Sequence, residues 1–411
     1  MQFKDLHINK PILKAIVEKG YETPTLVQQR AIPAILEGKD VIVSAQTGTG
    51  KTAAFALPIL QLLYPKQDAA KSGKKIRAVV VSPTRELAIQ IEENFQSYLT
   101  HTNLRATVIF GGTSIEPQKD ILKKGVDILI ATPGRLLDLH KQDLLNLTSV
   151  ETLVLDEADL MLDMGFIDDV QKIARLCPED KQNLLFSATM PHKVVQLSEE
   201  LLNNPEHIEV SPTSSVAKNV GQLLFYTPKP KKIELCLHLL RNTIKGNIII
   251  FRRTKFGVAK LEKTLLKNGY KADSIHGDKP QSERQMAMNK FKKGEVNILI
   301  ATDVAARGID IKDLDAVVNF DLPNVPETYV HRIGRTGRAG EIGYSYSLCS
   351  ADEKVYLASI QKLTNTHITV EEDHPYPLDP KAKPEVHKKQ GSKHRPSRKS
   401  AASKKKKKRW Y

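Results

Sequence analysis

Between Val41 and Leu63 the chain passes from an apolar run, Val41–Ser44, through a glycine-rich turn, AQTGTGKT at Ala45–Thr52, into a helical pattern at Thr52–Leu63. Few folds admit that succession. A short, unbroken apolar run suits a strand buried on both faces. Gly48 and Gly50 permit a tight turn whose backbone N–H groups converge, and the helix start adds positive potential. Such a unit can cradle phosphates, with Lys51 reaching them and Thr52 ligating a divalent cation. Gln46, Thr47 and Thr49 complete the turn. Ala45 departs from the general phosphate-loop pattern, which has its first glycine there.

A second stretch about a hundred residues on, VLDEAD at Val154–Asp159, complements the first. Thr152–Leu155 reads as a buried strand that delivers Asp156 and Glu157 together. Asp156 is placed to hold Mg²⁺ and Glu157 to orient or deprotonate an attacking water. The pair of stretches therefore points to nucleoside triphosphate chemistry.

Around these anchors, β-rich runs alternate with helical patterns, which argues a parallel sheet covered on both faces. The runs are Val41–Ser44, Ala78–Val81, Ala106–Phe110, Ile128–Ala131, Thr152–Leu155 and Leu184–Ser187; the helices include Glu86–Tyr98 and Lys193–Leu202. Pro and Ser at Ser211–Ser215 mark a linker. Alternation then restarts with Leu223–Tyr226, Asn247–Phe251, Asp273–Ile275, Ile298–Thr302, Ala316–Phe320 and Tyr344–Leu348, with helices at Ile233–Leu240, Phe256–Leu266 and Glu283–Phe291. The expected organisation is an α/β domain over 1–210, a linker over 211–220, a second α/β domain over 221–375 and a tail over 376–411.

Length agrees, since 411 residues exceed one compact core. No apolar run approaches the ~18 residues of a membrane span, and Met1–Asp5 begins no apolar signal segment. No membrane association is expected. Cys177, Cys236 and Cys349 are odd in number and scattered, which suits free thiols in a reducing compartment and a cytoplasmic location. The charge is concentrated at one end. From Lys381 to Tyr411 there are 14 lysines and arginines against the single acid Glu385, a balance of +13 out of the chain's +15. This arm, with Lys404–Lys408 in a row, is expected to be disordered and to tether nucleic acid by displacing counterions.

Asp156-Glu157-Ala158-Asp159 spells the tetrapeptide of the DEAD-box RNA helicases, and the chain resembles that family from Phe3 to about Leu363. The wording from Gly20 to Leu60 looks most like the bacterial RhlE-like branch. The resemblance implies two tandem RecA-like, doubly wound parallel-sheet domains, and ATP with Mg²⁺ as cofactors. Gly20–Gln28, including Tyr21 and Thr23, resembles the adenine-reading Q motif, with Phe3 packing on the base and Gln28 bonding its edge. Pro83, Thr84, Arg85, Gly111, Gly112, Thr132, Pro133, Gly134 and Arg135 resemble RNA-backbone contacts of the first domain. Phe251, Thr254, Gln281, Arg284, Thr302 and Asp303 match further RNA-facing positions, and Arg252 is expected to add a phosphate contact. Ser187-Ala188-Thr189, Asp159 and His331 resemble the elements coupling nucleotide state to strand separation. Gly308 and Asp310 would touch the nucleotide, and Arg335 and Arg338 would reach across the cleft as arginine fingers.

What this implies is an RNA-stimulated ATPase that couples ATP binding and hydrolysis to local duplex unwinding or ribonucleoprotein remodelling. An ATP-gated RNA clamp with little unwinding is the alternative, and a DNA translocase is a more distant one. RNA is the expected partner, gripped by its backbone. Ribosomal-particle or RNA-decay proteins are further partner classes open to such an enzyme.

Overall fold

The computed structural model describes residues 1–45, 48–66, 75–210, 220–306, 314–337 and 342–379. Two seven-stranded sheets form among them. The first contains β1 (Val41–Ala45), β2 (Ala78–Val81), β3 (Ala106–Ile109), β4 (Ile128–Ala131), β5 (Thr152–Leu155), β6 (Gln182–Ser187) and β7 (Glu206–Val210). The second contains β8 (Val220–Tyr226), β9 (Ile248–Phe251), β10 (Ala272–Ile275), β11 (Ile298–Ala301), β12 (Ala316–Asn319), β13 (Gly343–Cys349) and β14 (Thr369–Val370). Their orders are β3-β4-β2-β5-β6-β1-β7 and β10-β11-β9-β12-β13-β8-β14. Counted from its own first strand, each sheet runs 3-4-2-5-6-1-7. Every pairing is parallel.

β2, β4, β9 and β11 are apolar throughout because both their faces are covered. Along β2, Ala78 and Val80 enter one core while Val79 and Val81 enter the other. β4 and β5 divide in the same way, as the two-residue period of a strand requires. The helix Lys51–Leu63 covers one face, setting Phe55 edge-on against Phe186 with ring centroids 5.1 Å apart. Val170, Ile173 and Leu197, from the helices Ile167–Leu176 and His192–Leu201, close the other.

Parallel strands gather their carboxyl ends at one edge, where ligands bind in such sheets. The strand order then sorts the chemistry. β5, β6 and β1 are neighbours and bring together Asp156-Glu157, Ser187–Thr189 and the Lys51 turn. β2, β4 and β3 form the other half and carry Thr84-Arg85, Thr132–Arg135 and Gly111-Gly112.

Two boundaries differ from those expected. Val220 is the first residue of β8, so the second lobe starts inside the expected linker; residues 211–219 lie outside the described residues. The second lobe also continues past 375. The Glu371 and Leu378 backbone N–H groups donate to Leu224 and Tyr226 of β8, and Tyr376 packs on the core beneath it. The basic arm from residue 381 lies outside the described residues.

Candidate nucleotide site and nucleic-acid interface

Gly48 and Gly50 both take left-handed backbone angles, φ 86° and 89°, which a side chain would oppose. The turn brings the buried Lys51 Nζ to 3.0 Å from Glu157 Oε1. Glu157 itself has φ 55° and ψ 55°. A non-glycine residue held there stores about 1–3 kcal/mol of strain. Three carboxylates, Asp156, Glu157 and Asp159, act on this one ammonium. Burial works to lower the Lys51 ammonium, but the opposing fields of Glu157, Asp156 and Asp159 hold it above the usual lysine value. Burial, with Glu157's charge added, pushes the Asp156 carboxyl up to about 7.

Asp156 Oδ1 is buried and has no hydrogen-bond partner among the described residues. No group of three or more His, Cys, Asp or Glu side chains there could cage a metal. That combination fits Mg²⁺, which is held through one or two carboxylates plus substrate phosphates and retained waters. Thr52 and Asp156 both line the cleft at this point and are the residues able to hold it.

The cleft above Lys51 measures about 760 Å³. Phe3, Tyr21, Thr23 and Gln28 line one end, with Phe3 and Tyr21 stacked at 6.4 Å. Gln28 is tied to protein rather than left free for a base. Its Oε1 accepts from Thr25 N at 2.9 Å and its Nε2 donates to Gly50 O at 3.2 Å. A Cβ at Gly50 would collide with Gln28 Nε2, so this segment sits directly against the phosphate turn. Gln90, Asn94 and Tyr98 also line the cleft. The motifs do not include them, although their i, i+4, i+8 spacing on one helix is a usable signal.

The opposite wall comes from the second lobe. His331 and Arg335 line the same cleft as Lys51. His331 Nε2 approaches Asp159 Oδ2 to 3.5 Å. Asp159 also accepts from Thr189 N at 2.8 Å and from Thr189 Oγ1 at 2.7 Å, while its own N–H donates to Ser187 Oγ at 3.1 Å. Burial would raise the Asp159 carboxyl, but His331, Lys51 and Thr189 hold it well below the usual carboxylate range. Ser187, Ala188, Thr189, Asp159 and His331 are thus brought together. Gln46, Thr47, Gly308, Asp310 and Arg338 lie outside the described residues.

A second cleft of about 570 Å³ opens at the β2-β4-β3 half. Pro83, Thr84, Arg85, Gly111, Thr132, Gly134 and Arg135 line it from one lobe, and Gly277 and Arg284 from the other. Gly112 adjoins it with φ 77°, and a Cβ there would collide with the Arg85 guanidinium. Thr84 and Thr254 cap the helices that follow them, accepting from Leu87 N and Gly257 N. Pro133 begins the helix Pro133–Lys141.

Several expected RNA contacts are engaged elsewhere. Gln281 Nε2 and Arg284 NH2 both reach Glu86 Oε1 of the first lobe at 2.9 Å, forming an interlobe latch. Sequence alone does not single out Glu86, because a carboxylate beside a phosphate site reads as unfavourable until its partner across the cleft is known. Arg252 Nε donates to Asp321 Oδ2 at 2.9 Å and its guanidinium lies over Phe320, so it offers no free phosphate contact. Phe251 is buried beneath the Arg332 guanidinium, 4.9 Å from its centre, and its side chain exposes almost no surface. Asp303, next to Thr302, takes a two-pronged bond from Arg332 at 2.6 and 2.8 Å.

Known proteins resemble the chain along most of its length. Residues 25–198 match the DEAD/DEAH box helicase family model and residues 231–340 the helicase conserved C-terminal domain model. The chain is 42% identical over 362 residues to the DEAD-box ATP-dependent RNA helicase CshA of Bacillus subtilis, covering 88% of this chain and 72% of that one. It is similar to S. cerevisiae Dbp5 bound to RNA and ADP BeF3, with TM-score 0.80, 32% identity and coverage of 90% and 95%. A DEAD box protein from Methanococcus jannaschii is 39% identical over 90% of this chain and 99% of its own, with TM-score 0.53.

The latch generates a double-mutant test. Glu86→Ala and Arg284→Ala should each weaken RNA binding about tenfold in the presence of a nonhydrolysable ATP analogue, as expected for a charged hydrogen bond. Measured by fluorescence anisotropy, the double variant should be no worse than the worse single one. Additive losses would show that the two side chains act separately.

Proposed function

The chain belongs to the DEAD-box family of ATP-dependent RNA helicases, and on that premise we propose how its two clefts share the work. It is an RNA-stimulated ATPase that uses ATP to drive RNA helicase activity. ATP takes the first cleft, with adenine between Phe3 and the Tyr21–Gln28 segment and the triphosphate on the Gly48–Thr52 turn. Thr52 and Asp156 would hold Mg²⁺, which would supply positive charge to offset that of the phosphates. Glu157 orients the attacking water, and Lys51 holds the phosphates. Arg335, together with Arg338 and Asp310, acts on the nucleotide from the second lobe, the arginines supplying transition-state charge. An arginine provided in this way is worth ~10³–10⁵ in rate in related enzymes.

One RNA strand runs through the second cleft, gripped by Thr84, Arg85, Thr132 and Arg135 on one side and Thr254 and Thr302 on the other. Backbone contacts of this kind position without reading sequence. Closure favours the bent strand over a straight duplex, and release of the γ-phosphate reopens the lobes. ATP and RNA therefore select the same closed arrangement.

One observation carries this reading: both clefts are walled by both lobes. Overlap with the RNA-bound Dbp5 structure supports a clasped arrangement, since the more identical archaeal protein overlaps less. The wording of Gly20–Leu60 supports placement in the RhlE-like branch. Three buried free cysteines support a reducing, cytoplasmic setting, and no helix among the described residues is long and apolar enough to cross a membrane. The basic arm supports a tether to RNA on ribosomal particles or in RNA decay.

Two experiments test this division. Glu157→Gln should bind ATP and RNA but lose at least ~10²-fold in turnover, the usual contribution of a general base; steady-state turnover near that of the natural enzyme contradicts the assignment. Deleting Lys381–Tyr411 should weaken RNA binding and flatten its dependence on salt, by about 0.7 in log–log slope for each phosphate the arm neutralises. An unchanged slope in titrations from low to high salt removes the tether.

A further inference from the structure

The second lobe repeats the first in strand order, and the repeat extends to side chains. In the first lobe, five residues separate the end of β1 from Lys51, the first residue of its helix. Five residues, Thr227–Lys231, likewise separate the end of β8 from Lys232, which begins the helix Lys232–Asn242. Glu157 is the second residue after β5, and Asp321 is the second after its counterpart β12. Lys232 is buried like Lys51 and stands 3.9 Å from Asp321 Oδ1.

Two differences decide what this copy can hold. The loop before Lys232 contains Pro228 and Pro230 and no glycine, so two of its five amides are missing. The space is also already filled by an anion. Glu353, 2% exposed, receives Lys232 Nζ, Ser350 N at 3.1 Å and Ser350 Oγ at 3.0 Å on Oε2. Its Oε1 receives Arg253 NH2 at 3.0 Å and Leu322 N at 3.2 Å. Four nitrogen donors, two of them cationic, converge on one carboxylate, and the Ser350 hydroxyl is shared between it and Asp352 Oδ1. The Thr227 hydroxyl in the same loop is buried without a hydrogen-bond partner among the described residues.

We propose that the second lobe retains the anion hole of a nucleotide-binding fold and that the Glu353 carboxylate occupies it as a tethered substitute for phosphate. The natural chain therefore takes no free oxyanion there, and the lobe meets the triphosphate only through Arg335 and its neighbours. Removing the carboxylate exposes a site for a small oxyanion, for which inorganic phosphate is the probe.

The test is thermal unfolding of the full-length Glu353→Ala variant in potassium phosphate and in potassium chloride at matched ionic strength. Loss of one partner from a buried ion pair should lower the midpoint of the second lobe by roughly 10 °C in chloride. Phosphate should restore about half of that loss or more, with saturation. The natural chain and Glu353→Gln, whose amide still fills the hole, carry the same first-lobe site and should show no such saturable recovery. Equal midpoints for Glu353→Ala in the two salts overturn the proposal, as does an equal phosphate gain in Glu353→Gln. If the alanine variant is recovered only unfolded, refolding yield is compared instead. A higher yield in phosphate supports the assignment, and an equal yield in chloride contradicts it.

Discussion

A buried ammonium facing three carboxylates is the interaction on which this molecule depends. Lys51 sits 3.0 Å from Glu157, with Asp156 and Asp159 within its field. Charges taken out of water are tolerated only where they are paired and hydrogen-bonded. Here the carboxylates outnumber the cation. Asp159 finds Thr189 and His331, and Glu157 finds Lys51. Asp156 is left with a bare oxygen and a raised affinity for a proton. The proposed divalent cation, with the phosphates of ATP, would resolve this imbalance. Glu157 is held in a strained left-handed backbone conformation beside Asp156.

The same cluster reaches the second lobe, and from there the other cleft. His331 approaches Asp159, and Arg332 follows it in the chain. Arg332 donates to Asp303, to Asn319 Oδ1 at 3.0 Å and to the Asp321 carbonyl at 2.7 Å, and lies over Phe251. Asp303 adjoins Thr302 after the end of β11, in the half of the sheet proposed to face RNA. A single buried guanidinium thus ties the helix Pro326–Ile333, which lines the first cleft through His331, to the carboxyl ends of β11 and β12. With Glu86 latched to Gln281 and Arg284, the two lobes touch at both clefts. On the proposed reading, filling either one would favour the arrangement that shapes the other.

Legibility in the sequence follows burial. Ala78–Val81, Ile128–Ala131 and Thr152–Leu155 are bounded to the residue, because strands covered on both faces read as pure apolar runs. β7 escapes that reading. Its Glu-His-Ile-Glu-Val pattern belongs to an edge strand with alternate residues in solvent. β14 has only two residues, too few for any period to register. Lys51, Asp156 and Glu157 are legible because their chemistry is local to two turns. Gln281, Arg284 and Arg252 are not, because a basic or amide side chain suits a phosphate and a carboxylate equally well. Only the folded arrangement shows that Glu86 and Asp321 are already there. Phe251 is ambiguous for a related reason: a strand-end aromatic points either to solvent or to the core, and Arg332 covers the side chain of this one.

The central claim is linkage between two ligands that meet the same pair of lobes. Its most direct measure is the affinity of a nonhydrolysable ATP analogue with and without saturating single-stranded RNA, paired with the affinity for RNA with and without the analogue. Linkage predicts that each tightens the other by the same factor, about 5- to 150-fold as for typical coupled sites. Two affinities that ignore each other would contradict it.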